Sequence, residues 1–292
     1  DRLQGLVEQD PEIERVLRSS GPTFVDPTER YLRIEASGRH EYGTPEAMDF
    51  IERFRSDLAP AADFPASTRV YAGGGPASSV DFLDLTYGTF PWLIVAVLAL
   101  TYILLLRAFR SVILPLKAIV LNLLSIGAAY GLLVVFFKWG AGEGLGLQSY
   151  DQIEGWIPVF LFAMLFGLSM DYEVFLVSRM REEWDAGAPN ERAVAVGLAK
   201  TGRIVTAAGL IMIAAFSGFM IGRILGLQQF GFGLAVAIAV DVTIVRMLLL
   251  PSAMALFGRW NWWLPAGVAR LFRVKPSPLT PPRSPAISPS GD

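Results

Sequence analysis

The stretch Phe166-Gly167-Leu168-Ser169-Met170-Asp171-Tyr172-Glu173-Val174-Phe175 sets two acids and a tyrosine inside a long apolar run. The run extends from about Trp156 to Ser178. At about 1.5 Å of rise per residue, such a run crosses a hydrocarbon core of about 30 Å. Asp171 lies about 12 Å along a helix from Arg179 and about 21 Å from Ile157. Its side chain is too short to reach water from there. An ionised Asp in hydrocarbon costs about 2.5–3.5 kcal/mol on insertion scales. Asp171 is therefore expected to face a protein or water-filled interior, where a carboxyl can take and release a proton. Met164, Gly167, Val174 and Ser178 share its helical face, and Gly167 leaves room for a neighbouring helix or water. Tyr172, one step round, can donate a hydrogen bond to a carboxylate on a facing helix. Glu173 lies about 200° from Asp171, so the two cannot share one cavity. Whether it stays in the core or reaches the interface is open. The competing reading of Asp171 is a structural one, a carboxyl that only bonds a neighbouring helix.

Four further apolar spans surround this one. The five are expected at about 89–107, 112–137, 156–178, 204–221 and 230–257. Hydrophobic residues make up 53% of the 292 residues and charged ones 18%, and the mean hydropathy is +0.45. Such a composition belongs in lipid. Loop charges orient the bundle. Arg107, Arg110, Lys117, Arg179, Arg181, Arg192, Lys200, Arg203, Arg259, Arg270, Arg273, Lys275 and Arg283 fall on one side, which is expected to be cytoplasmic. Lys138 and Arg223 fall on the other. Trp92, Trp139, Trp156, Trp260, Trp262 and Trp263 sit near span ends, as an aromatic belt would.

Residues 1–88 are then extracytoplasmic. They read as a small α+β piece: a helix within Leu3–Leu17 broken by Pro11, a strand over Tyr31–Glu35, and a helix capped by Thr44 with Pro45 at its first position. A second strand is expected over Thr68–Ala72, stopped by Gly73-Gly74-Gly75-Pro76, and a helix over Ser79–Tyr87. The glycines read as a turn, since no Lys-Ser/Thr follows them as in a phosphate loop. The chain opens on Asp1 with no basic-then-apolar leader and reads as a piece of a longer protein. From Pro276 to Asp292 there are six Pro and four Ser, a disordered composition, and the tail is expected to be cytoplasmic.

Several function classes drop out. A net charge of −2 makes no case for nucleic acid. With no Cys, disulfides, thiolate catalysis and Cys-metal sites are excluded. His40 is the only histidine, so a zinc cluster or Ser-His-Asp triad has little to work with. Beside Arg39 and Glu41 it reads as a solvated surface residue. No catalytic or metal-binding set is expected. Asp241 is the second carboxylate inside a span, on a small-residue stripe with Gly233 and Ala237. Arg246, five residues on, is off its face, so Asp241 is expected to pair with a group on another helix or to join a relay. Ser169, Thr206 and Arg246 are possible supporting polar residues, and Gly218-x-x-x-Gly222 suggests close helix packing. Arg179, Arg181, Glu182 and Glu183 read as an interfacial cap.

These residues carry a resemblance. Phe166 to Glu183 resembles the signature helix of the MMPL family, which belongs to the resistance–nodulation–division (RND) transporters. Asp241-Val-Thr-Ile-Val-Arg246-Met-Leu-Leu-Leu-Pro251 resembles that family's last transmembrane helix. Ala72 to Asp81 resembles the junction leading from the porter domain into the membrane. The resemblance covers about residues 1–265. It implies the C-terminal half of an α-helical membrane protein: part of an α+β extracytoplasmic porter domain (1–88), a five-helix half of an RND-type bundle (89–263), and a cytoplasmic tail (264–292). It further implies export of lipids or other hydrophobic molecules driven by protons, with no other cofactor. Asp171-Tyr172 corresponds to the family's proton relay, facing an equivalent pair from an N-terminal half that this chain lacks. The partners implied are membrane lipid, the hydrophobic cargo and that first half, in cis or as another chain. The alternative function is that of an RND-like non-exporter, either a lipid sensor or a protein-translocation accessory.

Overall fold

The computed structural model describes residues 1–18, 21, 23–28, 30–148, 153–222, 224–277 and 279. Arg223, Arg283 and nearly all of the Pro/Ser-rich tail lie outside the described residues. The chain forms two compact units, Asp1–Thr89 and Phe90–Asp292.

In the first unit the opening helix, Arg2–Glu8, buries Leu3 and Val7. Pro11 follows it, and the chain then enters strand β1, Ile13–Leu17, rather than continuing as helix. β1 pairs antiparallel with β2, Glu35–Gly38, with Val16 opposite Ala36 and an irregularity between Ile13 and Arg15. The second strand thus starts where the expected one ends, and Leu32 only bridges to Val25. The Pro45–Arg53 helix starts as its signals require: Pro45 is in the first turn and the Thr44 hydroxyl accepts from the Ala47 N–H at 3.4 Å. It buries Ala47 and packs Phe50 and Ile51 in one cluster with Leu3, Val7, Ile13 and Val80. Arg53 clamps Asp10 through two nitrogens at 3.0 and 2.9 Å. No strand forms over 68–72. The alternation there marks extended backbone, but Val70 and Ala72 lie against the core instead of pairing at a sheet edge.

His40 is not simply solvated. Its ring is half-exposed, yet its Nδ1 lies 2.6 Å from Oε2 of Glu12, a side chain only 5% exposed. Its backbone N–H also donates to Glu12 Oε1 at 3.1 Å. The bond to Glu12 raises His40 above its ordinary value, with Glu46 assisting and Arg39 opposing. Burial alone would raise the Glu12 carboxyl, but the His40 ring and backbone donors outweigh it and hold it low. The histidine's share of stability is complete below its ordinary 6.5 and is lost as pH rises through its raised value. The Glu12 share is present above 4.5 and is lost as pH falls through its lowered value. Thermal unfolding of this unit within the chain should therefore peak between those two pH values. His40→Gln should remove the alkaline limb; an unchanged limb would refute the pairing.

Five helices are long and apolar enough to cross a membrane: Gly75–Phe109, Ile113–Lys138, Ile157–Asp185, Asn190–Ile221 and Leu225–Trp262. Helices of this kind satisfy their own backbone hydrogen bonds in lipid. The first carries Pro91 within its 35 residues. In the second unit two apolar layers form. One gathers Leu133, Phe137, Ile157, Leu161, Phe232 and Leu234. The other gathers Leu114, Leu176, Met180, Trp184, Met254 and Trp262. Trp262 is therefore a core residue stacked on Trp184 at 5.5 Å, not a member of an aromatic belt.

Residues 264–277, the first part of the 264–292 segment expected to be a disordered tail, are folded. They form a short helix, Ala266–Leu271, and a bridge from Leu264 to Ser277. Arg107 donates to the Phe272 carbonyl at 2.8 Å, and Arg181 to Ser277 Oγ at 3.0 Å. Arg181 is thus buried as a tie rather than exposed in a cap. Arg179–Glu182 and Lys200–Glu183 do pair at the surface, at 2.7 and 2.6 Å.

Close helix approach occurs elsewhere than at Gly218 and Gly222, which are both exposed. It occurs at Gly231, where an added Cβ would stand 2.6 Å from the Phe216 carbonyl oxygen and 2.7 Å from Phe219 Cβ. Backbone cannot yield as a side-chain tip can. Gly231→Ala should cost about 1–3 kcal/mol and lower Tm in detergent, whereas Gly218→Ala should not. Equal Tm values for the two variants would refute the contact.

Candidate functional site

On three spans the same order recurs. In the third, apolar Phe162 and Phe166 lead to Ser169 and Glu173, then to Leu176 and Met180. In the second, Leu114 and Ala118 lead to Asn122 and Ser125, then to Ile126 and Ala129. In the fifth, Leu234 and Ile238 lead to Asp241 and Arg246, then to Leu250 and Met254. The six polar residues named are all buried. They form a polar belt between two apolar layers, and all but Ser125 are linked. Arg246 Nη2 donates to Ser169 Oγ at 2.8 Å and also to the Ser169 carbonyl oxygen. Ser169 Oγ donates to Asn122 Oδ1 at 2.6 Å. Asn122 Nδ2 reaches Glu173 Oε2 at 3.5 Å. Beside them lies a cavity of about 10 Å³ bordered by Asn122, Ser125, Ser169, Tyr172 and Asp241, room for about one water.

Asp241 and Arg246 pair directly, Nε to Oδ2 at 2.9 Å, with side chains 7% and 2% exposed. This corrects the expectation that they occupy different faces. In an α-helix five residues turn the chain through about 500°, leaving the two about 140° apart. Here Asp241–Leu249 is a π-helix, whose i→i+5 bonding stacks residues five apart. Pro251, just beyond, lacks the N–H that a regular turn would take from it. Among the described residues Asp241 Oδ1 has no hydrogen-bond partner, and neither has Ser125 Oγ.

Asp171 is placed differently from the expectation. It is exposed on the outer surface of this five-helix unit, together with Met164, Gly167 and Val174. The inward face carries Phe162, Leu165, Ser169, Glu173 and Leu176 instead. Asp171 stands midway along Ile157–Asp185, on a surface whose neighbours Met164 and Val174 are apolar and 41% and 38% exposed. Among the described residues its carboxylate has no hydrogen bond or ion pair. Tyr172 is half-buried: its hydroxyl reaches Met212 Sδ at 3.3 Å and its ring lies under Arg246, 5.6 Å from guanidinium carbon to ring centre. Thr206 does not join the network, because its hydroxyl bonds the Gly202 carbonyl of its own helix at 2.8 Å. Asn122 and Ser125 belong to the belt without having been singled out in the sequence. The signal was there, two polar residues in the middle of the second span, but neither is ionisable. No group of three or more His, Asp or Glu side chains is placed to hold a metal among the described residues.

Comparison with known proteins supplies the rest. The family model described as "MMPL family" matches residues 22–279. The chain is 42% identical over 225 residues to "Heme uptake protein MmpL11" of Mycobacterium tuberculosis, covering 77% of this chain and 23% of that protein. It is 40% identical over 258 residues to "Mycolic acid-containing lipids exporter MmpL11" of Mycolicibacterium smegmatis, covering 84% and 27%. It is 33% identical over 267 residues to "Trehalose monomycolate exporter MmpL3" of the same organism, covering 90% and 25%. The chain thus spans about a quarter of the length of these relatives. With a match running from the first unit through all five membrane helices, this chain belongs to the MMPL family.

Proposed function

We propose that the chain is the C-terminal part of a proton-driven membrane exporter of lipids or other hydrophobic molecules. The observation that carries this reading is the exposed Asp171 at the middle of an apolar helix face. A carboxyl left against lipid at that depth is costly, so the face calls for a protein surface opposite it. An N-terminal half of like design supplies that surface in this reading. Support for lipid as cargo comes from the two relatives named as lipid exporters.

The chemistry follows from the site. Asp171 takes a proton from the outer side, loses its charge and releases its contacts with the facing helix. The helices shift, and release of the proton to the cytoplasm resets them. One charge crossing the membrane is worth about 2.3 kcal/mol per 100 mV, enough to move an equilibrium between states a few kcal/mol apart. Tyr172 donates to the carboxylate opposite. With no Cys and His40 as the only histidine in the sequence, and with relatives named as exporters, we read it as a transporter rather than an enzyme. The test is cargo export and proton influx in vesicles holding the full-length protein. Cargo binding without any cargo-dependent proton movement would favour a sensor.

A further inference from the structure

We infer that Glu173 is a second proton-binding group, housed inside this five-helix unit and separate from the Asp171 face. Glu173 is 5% exposed and four residues from Ser169, on the inward face of the third span. Its single hydrogen bond among the described residues is the 3.5 Å contact from Asn122 Nδ2, a nitrogen that also lies 3.1 Å from Met170 Sδ.

The surrounding charges are already committed. The groups facing Glu173 are Lys117 from the second span and Asp241 and Arg246 from the fifth. Arg246 is bound to Asp241 and Ser169. Lys117 donates to Asn261 Oδ1 and to Met254 Sδ, and sits over the Phe257 ring. The fourth span packs on the same helix, but its Arg192, Lys200 and Arg203 are exposed, and Lys200 is paired with Glu183. No cation stands at ion-pair distance from Glu173 among the described residues. A buried carboxylate with one long bond and no ion pair is costly to keep charged; the cleft it borders is lined by Leu121, Val245 and Leu250 beside Asn122 and Arg246, and that arginine is already bound to Asp241.

The donors all run one way: Arg246 to Ser169 Oγ, Ser169 to Asn122 Oδ1, Asn122 Nδ2 to Glu173. That order suits a carboxylate at the end of the chain. When a proton binds Oε2, that oxygen becomes a donor and no longer matches the amide N–H. Rotating the Asn122 amide by half a turn restores a match: its oxygen accepts from the Glu173 O–H and its nitrogen donates to Ser169 Oγ. One proton is added; the Ser169 hydroxyl gives up its bond to Asn122 Oδ1 and becomes the acceptor, and the Asn122 nitrogen leaves Met170 Sδ. The Asn122 amide thus passes the protonation state of Glu173 to the Ser169–Arg246 link, across three spans. Asn122 also borders the cavity beside Ser125 and Asp241, so one amide touches both the carboxyl and a polar space with room for about one water.

The test is infrared difference spectroscopy of the full-length protein in lipid vesicles, titrated with pH. A carboxylic-acid carbonyl band is expected that changes with pH, survives in Asp171→Asn and is missing in Glu173→Gln. Asn122→Leu, which leaves Glu173 in place, should displace that band's midpoint by about one pH unit, since a hydrogen bond to a charged group is worth at least that. A Glu173→Gln spectrum with every wild-type acid band would overturn the proposal. So would an undisplaced midpoint in Asn122→Leu. The readout is proton binding, not export, so a failed exporter reading leaves this result standing, and the reverse also holds.

Discussion

Asp171→Asn in the full-length protein should abolish proton-coupled export and leave the fold untouched. The substitution keeps size and shape and removes only the ability to ionise. Asp171 is exposed on this unit and has no ion pair or hydrogen bond among the described residues, so its change should leave the packing of these five helices intact, and the isosteric Asn keeps a polar group toward the facing helix. The functional loss is large because the proton is the energy source in the proposed cycle. At 100 mV one proton contributes about 2.3 kcal/mol. At about 1.4 kcal/mol per tenfold, that sustains a cargo ratio of about fortyfold. Without the relay the ratio should collapse to one. Cargo-dependent acidification of vesicles carrying a trapped pH dye measures the coupling, and a melting curve in the same detergent measures the fold. Wild-type acidification by Asp171→Asn would rule out Asp171 as the relay. A melting point several degrees lower would instead make it a structural carboxyl, the competing reading of the sequence.

The sequence revealed the membrane helices far better than it revealed their faces. Long apolar runs announce a span because lipid demands about 20 apolar residues whatever the packing. The helices extend beyond the expected spans because polar turns continue them outside the hydrocarbon, as at Gly75–Thr89 and Arg179–Asp185. Facing is another matter. In a soluble helix polarity marks the outer face. In Ile157–Asp185 the inner face carries Ser169 and Glu173, while the outer carries Asp171. One helix with acids on two sides cannot say from spacing alone which side this chain covers and which awaits a partner. The Asp241–Arg246 pair was hidden for a different reason. Periodicity reasoning assumes 3.6 residues per turn, and this segment does not follow it. In the first unit, His40 looked solvated because its partner Glu12 is 28 residues distant and is brought close only by the β1–β2 pairing.

The widened turn makes the second large prediction quantitative. Arg246→Met removes the cation from a side chain only 2% exposed and leaves Asp241 buried without its partner. Breaking such a pair from one side costs about 3–5 kcal/mol. The same change also strips donors from the Ser169 hydroxyl and carbonyl, so the loss should lie toward the upper end. Replacing both charges, Asp241→Leu with Arg246→Met, removes the stranded carboxylate and should recover most of the stability. The cycle built from the two single variants and the double variant then isolates the pair. Residues five apart on a regular α-helix would point about 140° away from each other, and their effects would add. Strong non-additivity in chemical or thermal unfolding is what the π-helical geometry requires, and additive losses would mean that Asp241 and Arg246 do not meet. Set beside Asp171→Asn, the cycle also separates Asp241 from Asp171. Stability should depend on Asp241, which is committed to an ion pair inside this unit. The packing of this unit should be indifferent to Asp171, which has no ion pair or hydrogen bond among the described residues and is left free for the proton-carrying role proposed for it.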